Sequence, residues 1–154
     1  MSEKINKYII RVYGLIINPN QEILISDEFQ LDMRMTKFPG GGMEFGEGTI
    51  DCLKREAIDE FGQDVEVLEH FYTTDYFQPT HFFNGAQLVS IYYLAAFKDK
   101  IRFKISNKPF NFDFEKNGVQ SFRWEQIRDL KVEDFTFPID RKVVELLKKK
   151  YQNK

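Results

Sequence analysis

Glu56, Asp59 and Glu60 stand within five residues of one another in a stretch whose apolar spacing is helical. At 100° per residue the three carboxylates share one helix face. Like charges at i,i+4 cost a few tenths of a kcal/mol per pair, so a solvated acidic face is one reading. The other is that a divalent cation offsets the repulsion, because Mg²⁺ and Mn²⁺ prefer carboxylate and carbonyl oxygens. The residues just upstream bear on the choice. "PGGGMEFGEG", residues 39–48, holds five of the chain's nine glycines. Glycine lets a backbone approach a ligand without interference from Cβ, and exposed peptide groups can bind phosphate oxygens or offer a carbonyl to a metal. A tight turn needs only one or two glycines, so the excess suggests a loop built around a ligand.

Read together, Gly41, Glu47, Arg55, Glu56, Asp59, Glu60 and Gly62 spell G-x5-E-x7-R-E-x2-D-E-x-G. This resembles the Nudix hydrolase signature, G-x5-E-x7-R-E-U-x-E-E-x-G-U with U a bulky aliphatic. Phe38-Pro39-Gly40 resembles that family's usual lead-in. With residue frequencies of roughly 5–10%, seven fixed matches arise by chance on the order of once in 10⁵ such chains or less. The resemblance implies an α+β fold, an α/β/α sandwich with a mixed, largely antiparallel sheet. It also implies metal-dependent hydrolysis of a nucleoside diphosphate derivative, with ADP-ribose or a nucleotide sugar favoured. Mg²⁺ is the expected cofactor and Mn²⁺ its substitute. Two alternatives stay open: pyrophosphohydrolysis of a nucleoside triphosphate, and a nucleotide-sensing module without turnover.

Carried over position by position, the resemblance assigns Glu56, Asp59 and Glu60 as metal ligands, with the Gly40 carbonyl as a backbone ligand. Arg55 would pair with Glu47, pinning the loop to the helix, and Glu47 could also reach a second metal. Glu56 or Glu60 would serve as base towards the attacking water, and the sequence does not choose between them. Gly41 and Gly42 would admit the diphosphate. The pattern departs at Asp59, one methylene shorter than the usual glutamate, and at Ala57 and Gln63, which replace larger aliphatics. A further acid is expected ahead of the last strand: Glu115 first, Asp113 second, with solvent-facing roles the alternative. "YFQPTHFFNG" offers Phe77, His81, Phe82 and Phe83 for stacking on a base, or else a loop that folds its rings into the core. Pro79, sixteen residues after Gln63, has a spacing similar to that of ADP-ribose and related nucleotide-sugar hydrolases. Cys52, one turn before Glu56, reads as core filling, since nearby carboxylates disfavour a thiolate.

These residues need elements to position them. "YIIRVYGLIINPNQEILISDE" reads as two strands about Pro19-Asn20, with a less regular stretch from Phe29 to Lys37. The helix runs from Thr49 as N-cap to a stop at Gly62, with Ile50, Leu53, Ala57, Ile58 and Phe61 on its apolar side. "VEVLEHFYTTDYF", which includes His70, and "AQLVSIYYLAAF" follow as long strands. "FNFDFEK" and "VQSFRW" flank Asn117-Gly118, the strongest hairpin signal in the chain. "IDRKVVELLKKK" closes the sequence as a helix, burying Ile139, Val143, Val144 and Leu147.

At 154 residues, 1–154 reads as one domain. A net charge of −2 argues against a nucleic-acid polymer as partner, leaving a small-molecule nucleotide. No apolar run approaches the ~20 residues that span a bilayer, so no membrane association is expected. A single cysteine excludes an internal disulfide, and the cytoplasm is the expected compartment. The sixteen phenylalanines read mainly as core. Phe110, Phe112 and Phe114 alternate as a dimer face would, and a homodimer is kept as an expectation beside the core reading.

Overall fold

The computed structural model describes residues 4–80 and 83–152. β1 (Lys7–Ile16) and β2 (Glu22–Gln30) flank the Pro19-Asn20 turn, as their β-branched runs predict. They do not form a hairpin within one sheet, however. β1 lies in a mixed sheet of order β4-β1-β6-β5, parallel to β6 (Ala86–Phe97) and antiparallel to β4 (Gly40–Gly42). β5 (Val65–Thr73) runs antiparallel to β6 on the sheet's edge. β2 is the centre of a second, antiparallel sheet, between β3 (Met33–Lys37) and β7 (Gln120–Gln126).

Side chains alternate across strands with period 2, and here the alternation feeds two cores. Tyr13 and Leu15 of β1, Ile23 and Ile25 of β2, and Tyr92 and Leu94 of β6 pack with α2 (Pro138–Tyr151). The α2 residues Ile139, Val143, Val144 and Leu147 are all buried, as the helical period requires. Val12, Ile16, Leu24 and Ala95 join the other core, with Leu53, Ala57 and Phe61 of α1 (Thr49–Phe61). Both the α+β class and the helix–sheet–helix layering follow the sequence reading. Phe61 stacks on Phe103 at 4.6 Å and meets Phe97 and Phe122 edge-on, so much of the phenylalanine fills the α1 side. No described helix is long and apolar enough to cross a membrane.

Several expectations need correction. In α1, Ile50 and Ile58 are half exposed at 46% and 51%, and Cys52 takes their place in the core. The cap is Gly48 rather than Thr49: its N–H donates to the Asp51 carboxylate at 2.9 Å, while the Thr49 hydroxyl lies 2.6 Å from that of Tyr93. β3, in the stretch that reads as irregular, pairs with β2 through a tight turn with Leu31 and Asp32 both at positive φ (51° and 59°). A two-residue hairpin of this geometry normally recruits Asn-Gly. Leu-Asp carries no such signal, which is why the hairpin is hidden.

Conversely, Asn117-Gly118 joins no pair of strands. Residues 110–116 form no strand, and β7 pairs with β2 instead. The Asn117 side chain clasps the β2–β3 turn, accepting from the Asp32 N–H at 2.9 Å and donating to the Asp32 carboxylate at 3.2 Å. The Gly118 N–H donates to the Phe29 carbonyl at 2.9 Å. Without a strand the phenylalanine alternation is not realised as a face: Phe114 is 79% exposed, while Phe110 and Phe112 meet edge-on 6.2 Å apart.

Candidate active site

The glycine-rich segment is in part a strand, and its glycines are needed for packing. Gly40 has φ 150°, and a Cβ there would lie 2.1 Å from the Val12 carbonyl oxygen. A Cβ on Gly41 would fall 2.4 Å from Glu56 Oε1. The close approach that glycine permits at Gly41 is therefore that of the Glu56 carboxylate to β4.

Arg55 joins loop to helix as expected. Its Nε donates to Glu47 Oε2 at 3.0 Å and its Nη2 to Glu47 Oε1 at 2.7 Å, a two-pronged pairing suited to guanidinium geometry. Nη2 also donates to the Gly42 carbonyl at 3.0 Å. Nη1 reaches Glu56 Oε1 at 3.0 Å and Asp59 Oδ2 at 3.4 Å. The hydrogen bond from Arg55 holds the Glu47 carboxyl down at about 2, and Glu47 in turn raises Arg55 above its ordinary value. Burial, with the Glu47 charge beside it, pushes the Cys52 thiol up to about 12, which suits a core filler. Gln63 is buried, and its Oε1 accepts from the Arg102 N–H at 2.8 Å.

Glu60 is placed differently. Its Oε1 accepts from Gln120 Nε2 of β7 at 2.9 Å. Burial raises its carboxyl to about 7, against the pull of Gln120 and Lys37, and the charges of Glu28 and Glu56 add to the rise. Glu28, in β2 and only 5% exposed, faces the same amide, with Gln120 Nε2 3.1 Å from Glu28 Oε2. The Ser26 hydroxyl donates to that oxygen at 2.8 Å, and Lys37 Nζ lies 3.4 Å away. Lys37 sits over the Tyr13 ring, 5.6 Å from its centre, and Arg11 Nε donates to the Tyr13 hydroxyl at 2.6 Å. Burial works against both cations, yet Tyr13 and the carboxylates outweigh it and both are held above their ordinary values.

Beside these two cations opens a cavity of about 310 Å³ between the sheets and the start of α2. Asp140 lines it, 2% exposed, its Oδ1 accepting from the Tyr92 hydroxyl at 2.6 Å. Burial raises the Asp140 carboxyl to about 6, with Tyr92, Lys37 and Arg11 pulling it down. Ser90 also lines the cavity, its hydroxyl buried with no hydrogen-bond partner among the described residues. Pro79 and Phe83 reach the lining, whereas Phe77 does not and is 60% exposed. His81 and Phe82 lie outside the described residues.

The structure brings Glu47, Arg55, Glu56 and Asp59 together, and links Glu60 to a second group that the signature does not contain. Glu115 joins neither: it is exposed and paired with Arg34 at 2.6 Å. Asp113 is likewise exposed. Among the described residues no three metal-binding side chains converge at ligating distance. Glu56 and Asp59 turn to Arg55, and Glu60 to Gln120. The side chains at hand, those of Glu56, Asp59 and Glu60, offer carboxylate oxygens, and such donors fit a hard cation such as Mg²⁺. Arg11, Glu28, Lys37 and Gln120 escape the sequence reading. The signal that could have found the first is a charge in the middle of an apolar strand, "YIIRVYGLII".

A family model for the NUDIX domain matches residues 7–147, nearly the whole chain. The chain belongs to the Nudix family. It is a Nudix hydrolase, with Glu56, Asp59 and Glu60 of the signature on α1 and Gly41 on β4. Solved structures of MutT-type proteins share its fold at low identity. A MutT structure described for Aliivibrio salmonicida and Vibrio cholerae is 23% identical with a TM-score of 0.64, covering 94% of this chain and 99% of its own. The MutT protein of Methanosarcina mazei Go1 is 18% identical with a TM-score of 0.64, covering 97% and 98%. A UDP-X diphosphatase is 16% identical with a TM-score of 0.57, covering 94% of this chain and 63% of its own. At these identities the likeness is one of fold. No curated protein matches the sequence.

Proposed function

We propose that this Nudix hydrolase, acting in the cytoplasm, cleaves the diphosphate linkage of a nucleoside diphosphate derivative, ADP-ribose or a nucleotide sugar. Mg²⁺, or Mn²⁺ in its place, would be held by Glu56, Asp59, Glu60 and the Gly40 carbonyl. The observation that carries this reading is the position of Arg11, half-buried, and Lys37, buried, two cations between the α1 acids and the cavity they line. A diphosphate spanning them would have its charge met from both sides, with the nucleoside end directed into the cavity.

A bound metal would neutralise the diphosphate and acidify water. The chain's own residues supply position and electrostatics, which is most of what phosphoryl chemistry asks of a protein. Arg55 and Glu47 hold the loop against the helix. Gly41 and Gly42 leave room at β4, and Glu56 or Glu60 accepts the proton of the attacking water. Glu115 would contribute only after leaving Arg34. Pro79 and Phe83 line the cavity at the nucleoside end, and the sequence offers Phe77, His81 and Phe82 of the same segment for stacking on the base. The likeness to MutT proteins supports the alternative, pyrophosphohydrolysis of a nucleoside triphosphate at the same site.

The test is product release from a panel of ADP-ribose, nucleotide sugars, dinucleoside polyphosphates and nucleoside triphosphates with Mg²⁺, comparing wild type with Glu60→Gln. Turnover of one class by wild type should fall at least about 100-fold in the variant, the scale expected for losing a charge-stabilising catalytic group. Turnover confined to triphosphates would transfer the assignment to the alternative. Binding without turnover throughout would make the protein a sensor.

A further inference from the structure

We infer that Gln120 is the positioning residue for Glu60, fixing one carboxylate oxygen so that the other is presented to the reaction centre. The inference rests on the reading of Glu60 as a metal ligand or base, and its evidence is the pattern of partners around the α1 acids. Glu47 is neutralised by a guanidinium in a two-pronged pair. Glu60 receives no direct cation among the described residues. Its partner is the neutral amide of Gln120, 2.9 Å from Oε1. An amide restricts the rotamer and satisfies one oxygen while leaving the negative charge available, whereas an arginine there would cancel the charge that a cation needs.

The amide is itself fixed. Gln120 stands opposite Glu28 in the β2–β7 ladder, and its Nε2 also donates to Glu28 Oε2 at 3.1 Å. Ser26 Oγ and Lys37 Nζ hold that same Glu28 oxygen, at 2.8 and 3.4 Å. With carboxylates on two sides the NH₂ end must point at them, because the amide oxygen would be repelled. The sequence pattern leads one to expect an extra acid ahead of the last strand. On β7 the polar side chain that bonds an α1 acid is this amide, beside the packing of Phe122 on Phe61, and it works through Glu60. Groups that orient a metal ligand typically change affinity or activity about 10–100-fold when removed.

The experiment uses Gln120→Met, which keeps length and removes the donor, and Gln120→Asn, which withdraws the amide by one methylene. Mn²⁺ binding to the nucleotide-free protein is measured by titration calorimetry, alongside kcat, KM and melting temperature. Both variants should bind Mn²⁺ about 10-fold more weakly and lose about 10-fold or more in kcat. KM should stay within a factor of about three and melting temperature within a few degrees, a split that loss of nucleotide contacts would not give. Wild-type Mn²⁺ affinity and kcat in either folded variant overturns the inference, and so does a rise in KM alone. Glu60→Gln separates the two levels. If it impairs both readouts while the Gln120 variants do not, only the role of Gln120 is wrong. If it too is without effect, the assignment of Glu60 fails.

Discussion

A Cβ at Gly40 would meet the Val12 carbonyl oxygen, which is backbone with no room to move, whereas one at Gly41 would meet the mobile end of Glu56. The two substitutions should therefore part company. Gly40→Ala should lower stability by about 2–4 kcal/mol, as overpacking combined with a left-handed backbone does. Gly41→Ala should fold with a nearly unchanged melting temperature while losing activity about 10-fold or more, since the carboxylate is displaced by an ångström or so. Thermal melts read beside turnover test both, and a Gly41→Ala protein with wild-type kcat would show that Glu56 does not act from its present position. At this scale the sequence is informative about Glu56, Asp59, Arg55 and Glu47. The shared face of Glu56 and Asp59 follows from helix geometry, and the Arg55–Glu47 pair from the match to the Nudix signature.

Among the elements, the β2–β3 hairpin is the least legible and the most open to improvement. Leu31 holds φ 51° and is 58% exposed, so its side chain contributes little to offset the backbone cost. Left-handed conformation costs a residue with an ordinary Cβ roughly 1–2 kcal/mol, and asparagine tolerates it better. Leu31→Asn should raise stability by about 0.5–1 kcal/mol in chemical denaturation. A destabilised variant would mean that the leucine's contact with the cavity wall matters more than its backbone. Asp32 is a poorer choice for change, because its carboxylate and N–H are both engaged by Asn117. That clasp also explains why the strongest turn signal in the chain misleads. Asn-Gly permits a sharp reversal, but what the reversal is docked on depends on a turn more than eighty residues away.

Across the whole molecule, the sheets are covered by α1 on one side and α2 on the other, and Asp140 ties α2 to β6 through Tyr92. Burial raises the Asp140 carboxyl from an ordinary 3.8 to about 6, so the folded state holds this proton more tightly than the unfolded chain. The associated loss of stability is absent below pH 3.8, grows as the pH rises to about 6, and persists above it. Asp140→Asn keeps an acceptor for Tyr92 and removes the titration. Its unfolding free energy should lack that decline, gaining about 1–3 kcal/mol relative to wild type between pH 4 and 7. Parallel pH profiles for the two proteins would rule out a buried, titrating Asp140. By itself the sequence determined the helices and the shared face of the acids on α1, since periodicity and short-range spacing depend only on local backbone geometry, while the Arg55–Glu47 pair came from the match to the Nudix signature. It also determined that β-branched runs would be strands. Only the tertiary structure decided that β1 and β2 part into different sheets, and that Arg11, Glu28, Lys37 and Gln120 meet beside the α1 acids. Those four come from four strands, β1, β2, β3 and β7. Their meeting depends on strand order and on a register that sets Glu28 opposite Gln120, and long-range pairing of that kind leaves no periodic mark on the sequence.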